Sequence, residues 1–344
     1  MFTDRLKEIY SRLIATREES TDNYFNVLDG WRGLSILFVL ATHLLPLGPK
    51  SWRLNEAFGP FGMALFFILS GFLITNFLLH RPNLFDFIVR RFFRIIPLAW
   101  LYLLISLPIL GVGYPDYLSH FAFYANWPSM SFVAGSSHFW SLCVEMQFYV
   151  GIAVLFFIFK ARALYLTMML CILFTAYRVN SGVHVGINTY FRIDEILAGV
   201  IIAMAFNNKL GSLLPRFFKW VNPYYMIFLL CVSSHPDSGF VNYFRPYFAA
   251  TLVASTLYAP PAKLASFLNL RILVYLASIS YALYVIHPLL AHTWLGDGDL
   301  IEKYSKRPLL FMILFGLAHA STFYYEKYWI TLAKKITNKK RVND

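Results

Sequence analysis

The sequence predicts an all-α polytopic membrane protein, a bundle of about ten transmembrane helices with both termini cytoplasmic. Three observations carry that expectation. Of 344 residues, 58% are hydrophobic and only 14% are charged, against about 25% charged in an average soluble domain. Too few polar side chains remain to cover a soluble surface. The apolar residues gather into runs of span-like length, and an aromatic content of 19% suits lipid-facing surfaces and the interfacial belts of a bilayer. Most Lys and Arg, finally, fall on the cytoplasmic side if the N-terminus is cytoplasmic.

The runs cover about 34–49, 57–79, 95–112, 138–159, 163–177, 193–208, 220–234, 246–260, 272–295 and 308–329. Several are shorter than the roughly 20 residues of a perpendicular span, so they are expected as packed members of a bundle. The stretch 117–133 is apolar but interrupted by Pro128, and reads as a re-entrant or surface segment. Ten spans bring Arg90, Arg91 and Arg94, and the basic stretch 334–341, to the cytoplasmic side, as the positive-inside rule requires. The net charge of +12 is then mostly an orientation signal, and no nucleic-acid partner is needed.

Residues 1–27 read as a cytoplasmic N-terminal segment without signal-peptide features. Residues 28–330 read as one integral membrane domain, and 331–344 as a basic cytoplasmic tail. Cys143, Cys171 and Cys231 lie within apolar runs, without metal-ligand spacing or a disulfide framework. No metal is expected.

Ionisable groups inside spans are costly in hydrocarbon and are candidates for function. In "LDGWRGLSILFVLATH", Arg32 and His43 are eleven positions apart, about three helical turns. They share one helix face, separated by roughly 16 Å along the axis. The competing reading is an interfacial arginine anchor plus a histidine bonded to a neighbouring helix. In "HFWSLCVEMQFYV", Glu145 falls seven residues after His138, while His43 falls six before Pro49. Both are expected roughly 9–10 Å below the outer ends of their spans. At one depth a carboxylate and an imidazole can pair, the carboxylate fixing the tautomer and raising basicity. A purely structural ion pair, or Glu145 bonded to Gln147 or Tyr149, competes with that reading.

"VRRFFRIIP" sets Arg91 and Arg94 on one helix face at the cytoplasmic mouth. Guanidinium forks there suit phosphate, and the alternative is an anchor on anionic lipid. "TYFRIDEILAG" brings Arg192, Asp194 and Glu195 to an outer helix mouth. Positions two apart do not face each other, so Arg192 and Asp194 are expected to have separate partners. The carboxylates are candidates for accepting sugar hydroxyls, against a solvated helix cap. Gly59, Gly62, Ser70 and Gly71 in "FGPFGMALFFILSGFLIT" predict close helix packing, with no nucleophile elbow around Ser70. "SISYALYVIHPLL" carries Tyr281, Tyr284 and His287, where Tyr284 alone could satisfy the histidine.

Taken in order, these stretches resemble the acyltransferase-3 family of membrane-bound acyl-CoA-dependent O-acyltransferases. "LDGWRGLSILFVLATH" is similar to its opening pattern, an Arg or Lys separated from a His by ten residues. "FGMALFFILSGFLIT", "RRFFRIIPLAW", "HFWSLCVEMQFYV", "TYFRIDEILAG" and "SISYALYVIHPLL" look like its later motifs, over residues 27–288. The resemblance implies transfer of an acyl group, usually acetyl, from cytosolic acyl-CoA to a hydroxyl of a cell-surface or lipid-linked glycan. Under it, His43 is the essential histidine and Glu145 the motif glutamate, both catalytic. Arg32, Arg91 and Arg94 bind the acetyl-CoA donor. Asp29, Trp140, Tyr149, Arg192, Asp194, Tyr281 and His287 are candidates for the acceptor. His43 is either a general base, with Glu145 stabilising its imidazolium, or an acyl carrier. The chain resembles members without an extra C-terminal hydrolase-like domain, and its partners are acyl-CoA, the glycan and membrane lipids, in a bacterial cytoplasmic (inner) membrane. A proton-coupled transporter of a glycan unit is the rival class, but no half-to-half repeat of the kind transporters show is visible.

Overall fold

Away from water, backbone N–H and C=O groups must be satisfied within the protein, and a helix does so inside each segment. The structure, a computed structural model, describes residues 24–128, 130, 132 and 135–343. Residues 1–23 of the N-terminal segment, 129, 131 and 133 of the interrupted run, and 344 of the tail lie outside the described residues. Among the described residues every regular element is helical. In order these are α1 (Tyr24–Leu44), α2 (Leu54–His80), α3 (Leu84–Leu110), α4 (Tyr114–Phe121), α5 (Trp140–Phe159), α6 (Ala163–Asn180) and α7 (Ile193–Phe206). They continue with α8 (Leu213–Trp220), α9 (Pro223–Ser234), α10 (Arg245–Tyr258), α11 (Ala262–Leu268), α12 (Arg271–Ala291), α13 (Leu300–Ser305) and α14 (Arg307–Ala320). A π-helical turn, Ser321–Glu326, joins α14 to α15 (Lys327–Asn343).

Each of the ten apolar runs contains a helix. Among the described residues six stretches are long and apolar enough to cross a membrane: Asn26–Leu44, Leu54–His80, Leu84–Leu110, Ser137–Asn180, Arg271–Ala291 and Arg307–Asn338. Within Ser137–Asn180, Lys160 at φ 53° breaks the chain into α5 and α6. Helices α7, α9 and α10 have 14, 12 and 14 residues, short of the roughly 20 that span hydrocarbon alone. Outward-facing Leu104, Ile109, Phe157, Ile172, Phe228 and Met312 are exposed. Apolar exposure on this scale marks a surface that meets lipid rather than water.

The core is organised around α2, which packs on α1 and α7, while α12 packs on α1. Small residues set these distances, as the glycines in the sequence lead one to expect. A Cβ on Gly71 would lie 2.0 Å from the Ile196 carbonyl oxygen of α7, and one on Gly199 would lie 2.2 Å from the Ile68 carbonyl oxygen of α2. The two helices therefore touch backbone to backbone. Gly62 makes the same close approach to α1, where Ser35 Oγ donates to its carbonyl at 2.8 Å. Gly71→Ala is expected to push α2 and α7 apart and to cost about 1–3 kcal/mol or more, read as a lower unfolding temperature in detergent. An unchanged unfolding temperature would mean that these helices are not in close contact.

Two local features bear on the site. Helix α1 stops at Leu44, five residues before the apolar run ends, because Pro46 has no N–H for the Thr42 carbonyl and disfavours helix before it. Asn55 Nδ2 donates to the carbonyls of Thr42 and Leu45 instead, at 2.8 Å each. In the interrupted stretch, 117–121 belongs to α4 and turns follow. There His120 is buried, with Nδ1 2.7 Å from the Asp116 carbonyl and Nε2 2.9 Å from Ser136 Oγ. Burial holds its pKa below the usual histidine value. Residues 331–343, expected as a tail, continue the last helix, and Arg90 Nη2 donates to Thr337 Oγ1 there at 3.0 Å.

Candidate active site

Polar side chains inside this bundle fall into three groups. The first gathers around arginines. Arg32 on α1 lies within electrostatic reach of Arg94 and Arg91 on α3, Asp29 on α1 and Glu145 on α5. Arg94 is exposed, whereas Arg32 and Arg91 are half-buried, so the group opens outward at Arg94. The Arg91 guanidinium lies 5.9 Å from the centre of the Tyr149 ring. Tyr149 OH and Ser70 Oγ both donate to Glu145 Oε1. Tyr281 OH donates to the Ile95 carbonyl at 2.5 Å, one residue beyond Arg94. Glu326, which the sequence reading did not single out, sits in the π-helical turn within reach of Arg94. Its Oε1 accepts from Ser321 Oγ at 3.0 Å and from Thr322 Oγ1 at 3.1 Å. Single-turn π segments occur often at functional sites, but only the fold reveals one.

The second group is made of imidazoles. His43, in the last turn of α1, has its ring centre 5.2 Å from that of His287 on α12. The His287 ring lies 5.6 Å from His138, in the turn that precedes α5. His138 and His287 are buried and His43 is exposed. Tyr284 OH donates to the His138 carbonyl and bonds Ser141 Oγ. Among the described residues no set of three or more His, Cys, Asp or Glu side chains is arranged to hold a metal.

A small cleft beside Arg32, with about 10 Å³ of room, space for about one water, lies between α1, α2 and α12. Arg32, Ser35, Ile36 and Val39 line it from α1, facing Phe66 of α2 and Tyr284 of α12. Spacings of three and four put one helix face along the cleft, and Tyr284 touches His287 at its far wall, 5.9 Å between ring centres. The helix face that carries Arg32 thus lines this cleft, and His43 follows one turn beyond Val39 on the same face.

The expected pairing of His43 with Glu145 is corrected. Glu145 is bonded to Ser70 and Tyr149, and no ion pair joins it to His43. The depth count failed because α1 ends at Leu44 rather than Pro49. His43 is level with His138, and Glu145 is two turns further along α5, about 10 Å toward the arginines.

The third group is a closed ion network. Arg178 Nη2 is 3.0 Å from Asp194 Oδ2, which also accepts from Thr175 Oγ1 at 3.1 Å. Arg192 Nη2 is 3.1 Å from Glu195 Oε2, and Arg245 Nε donates to Glu195 Oε1 at 3.0 Å. The Arg192 guanidinium also lies 5.1 Å from the Trp140 ring centre. Arg178, Arg192, Asp194, Glu195 and Arg245 are all 1% exposed or less. Arg192 and Asp194 do have separate partners, as expected. The placement at an open outer mouth is corrected: these carboxylates face arginines, not solvent, and Trp140 packs against Arg192. Of the seven residues expected at the acceptor, Asp29, Tyr149 and Tyr281 thus join the arginine group, Trp140, Arg192 and Asp194 the ion network, and His287 the imidazoles.

A helical bundle with apolar side chains exposed on its outside and ionisable groups buried in its core defines an integral membrane protein. The chain belongs to the acyltransferase-3 family, whose model, described as an acyltransferase domain, matches residues 25–327. It is 26% identical over 314 residues to the peptidoglycan O-acetyltransferase OatA of Listeria monocytogenes, covering 77% of this chain and 49% of that protein. It is 27% identical over 321 residues to the putative peptidoglycan O-acetyltransferase YrhL of Bacillus subtilis, covering 77% of this chain and 48% of that protein. A putative O-acetyltransferase of Staphylococcus aureus is 24% identical over 330 residues, 80% of this chain and 53% of its own length. The chain spans about half the length of these curated relatives. No solved structure matches it.

Proposed function

We propose that the protein is an O-acetyltransferase that moves an acetyl group from a phosphate-bearing thioester donor, acetyl-CoA, to a hydroxyl of a cell-surface glycan. The observation that supports this reading is one face of α1 with arginines gathered around Arg32 at one end and imidazoles around His43 at the other. The names of the Listeria and Bacillus relatives favour a peptidoglycan sugar as acceptor. In the topology read from the basic residues, ten spans with both termini cytoplasmic, the arginine end faces the cytoplasm of a bacterial inner membrane. Donor and acceptor then approach from opposite sides.

In this mechanism the donor's phosphates rest on Arg32, Arg91 and Arg94, whose guanidinium forks match phosphate oxygens. The Val39 face of α1, packed against α2 and α12 around a cleft of about 10 Å³, opens for the pantetheine arm to bring the thioester to His43. As the acceptor oxygen bonds to the acyl carbon, His43 takes the hydroxyl proton. The carbon–sulfur bond breaks, and the departing thiolate receives that proton. His43 as an acyl carrier divides the same chemistry into two displacements. Glu145 holds Tyr149 under Arg91 and so serves the donor end, with Asp29 and Tyr281 beside it.

Arg91→Ala and Arg94→Ala are each expected to raise the donor KM about 10-fold or more, the worth of one or two charge-assisted hydrogen bonds. Arg94→Lys is expected to recover only part of the loss, because an ammonium cannot make the forked contact. Unchanged donor KM in both alanine variants would assign these arginines to lipid anchoring. The reading as a whole is tested with purified protein in vesicles, labelled acetyl-CoA and peptidoglycan fragments. Labelled glycan with one free CoA per acetyl group is expected. Movement of the glycan without acetylation would favour the transporter.

A further inference from the structure

The reaction as drawn leaves a buried group unused. His287 is 1% exposed, and its Nδ1 lies 2.8 Å from the Tyr284 carbonyl and 3.2 Å from the Leu283 carbonyl. Carbonyls only accept, so Nδ1 carries the proton. The next residue explains why the Tyr284 carbonyl is available. Pro288 has no N–H, so the bond it would have donated to the carbonyl four residues back is missing, and the His287 side chain supplies a donor in its place. A neutral imidazole has one N–H. Nε2 of His287 therefore bears a bare lone pair, and it has no partner among the described residues. Leaving such an acceptor buried and unpaired costs roughly 1–3 kcal/mol, a cost that a functional role would explain.

Two rings lie beside it. His138 is buried and wedged among Tyr102, Phe139 and Tyr284, with ring centres 5.3, 4.9 and 5.5 Å away. His43 is exposed on the last turn of α1, with its ring already in contact at 5.2 Å. We propose that His287 is a positioning residue for His43, accepting a hydrogen bond at Nε2 from one ring N–H of His43. This inference rests on the acyl-transfer reading above and gives His287 the part that the sequence suggested for Glu145.

The arrangement fixes the tautomer of His43. One nitrogen donates to His287, so the other is bare and faces the acceptor hydroxyl. When His43 takes the hydroxyl proton, its ring becomes cationic while still donating to a neutral base held rigidly by the α12 backbone. His287 keeps its own single proton throughout. The proton taken by His43 leaves with the thiolate.

Three substitutions separate this role from a structural one. His287→Asn keeps a donor for the Tyr284 carbonyl but offers nothing that reaches His43. His287→Gln can present an oxygen near the Nε2 position, and His287→Ala removes both. Expected are a fall in kcat of about 10–100-fold for the Ala and Asn variants, the size usual for groups that orient a functional imidazole, and a donor KM within about twofold of wild type. The Gln variant should recover about tenfold over Asn. Full activity in Asn, or Gln no better than Asn, would overturn the proposal. A second readout does not depend on turnover: nitrogen-15 NMR of histidine-labelled protein in vesicles, with the His287 signals assigned by their loss in His287→Gln. Nδ1 protonated and Nε2 bare is expected, and a protonated Nε2 would overturn the proposal. Failure of the acyl-transfer reading would appear separately, as absent acetylation by the wild type.

Discussion

His43→Ala is expected to lower acetyl transfer by about 10²–10⁴-fold, the usual contribution of a positioned general base, or to abolish it if His43 carries the acyl group. The donor KM should stay within about twofold, because the proposed phosphate site is the arginine group around Arg32, about three turns of α1 away from His43. The fold should also survive. His43 is exposed and packs chiefly against His287, so its truncation opens no core cavity. Steady-state kinetics and an unfolding temperature on the same preparation separate these quantities. Full turnover in a folded His43→Ala protein would remove the imidazole group from the chemistry.

Glu195→Ala is expected to have the largest effect on stability. Glu195 is the shared carboxylate of Arg192 and Arg245, so its loss strands two buried guanidinium groups. Breaking a buried pair costs about 3–5 kcal/mol, a large share of the roughly 5–15 kcal/mol that holds a typical domain together. Nothing nearby offsets it fully. Arg192 keeps its place over Trp140, but a cation–π contact returns only about 0.5–2 kcal/mol. Glu195→Gln, which keeps an oxygen for Arg245 Nε, is expected to lose less. Thermal unfolding in detergent reads both, and equal stability of wild type and Glu195→Ala would mean that this network is not closed in the membrane.

The parts of this protein that follow from helix geometry are legible in its sequence. Eleven residues at 3.6 per turn put Arg32 and His43 on one face, and that face lines the cleft. Gly62 and Gly71 announce close packing, which they provide. What depends on where a helix stops, or on which distant segment meets it, is not legible. The apolar run continues to Pro49 past the stop of α1 at Leu44, so the depth of His43 is misjudged and Glu145 is matched to the wrong ring. Arg178 and Arg245 give no local sign that they will neutralise Asp194 and Glu195, because those pairs form only when α6, α7 and α10 pack. His138 reads as the start of a span until His43 and His287 are seen beside it. The Arg-x₁₀-His pattern and its companion motifs pointed to the family before any of these contacts were visible.

The central claim is that donor and acceptor act at opposite ends of one face of α1, and sided vesicles test it most directly. Protein reconstituted in one orientation receives labelled acetyl-CoA only on the side of Arg91 and Arg94, and peptidoglycan fragments only on the side of His43. The expected result is acetylated glycan on the His43 side and free CoA retained with the donor, both lost in His43→Ala. Acetylation only when donor and acceptor share a compartment, or glycan that crosses unmodified, would contradict it.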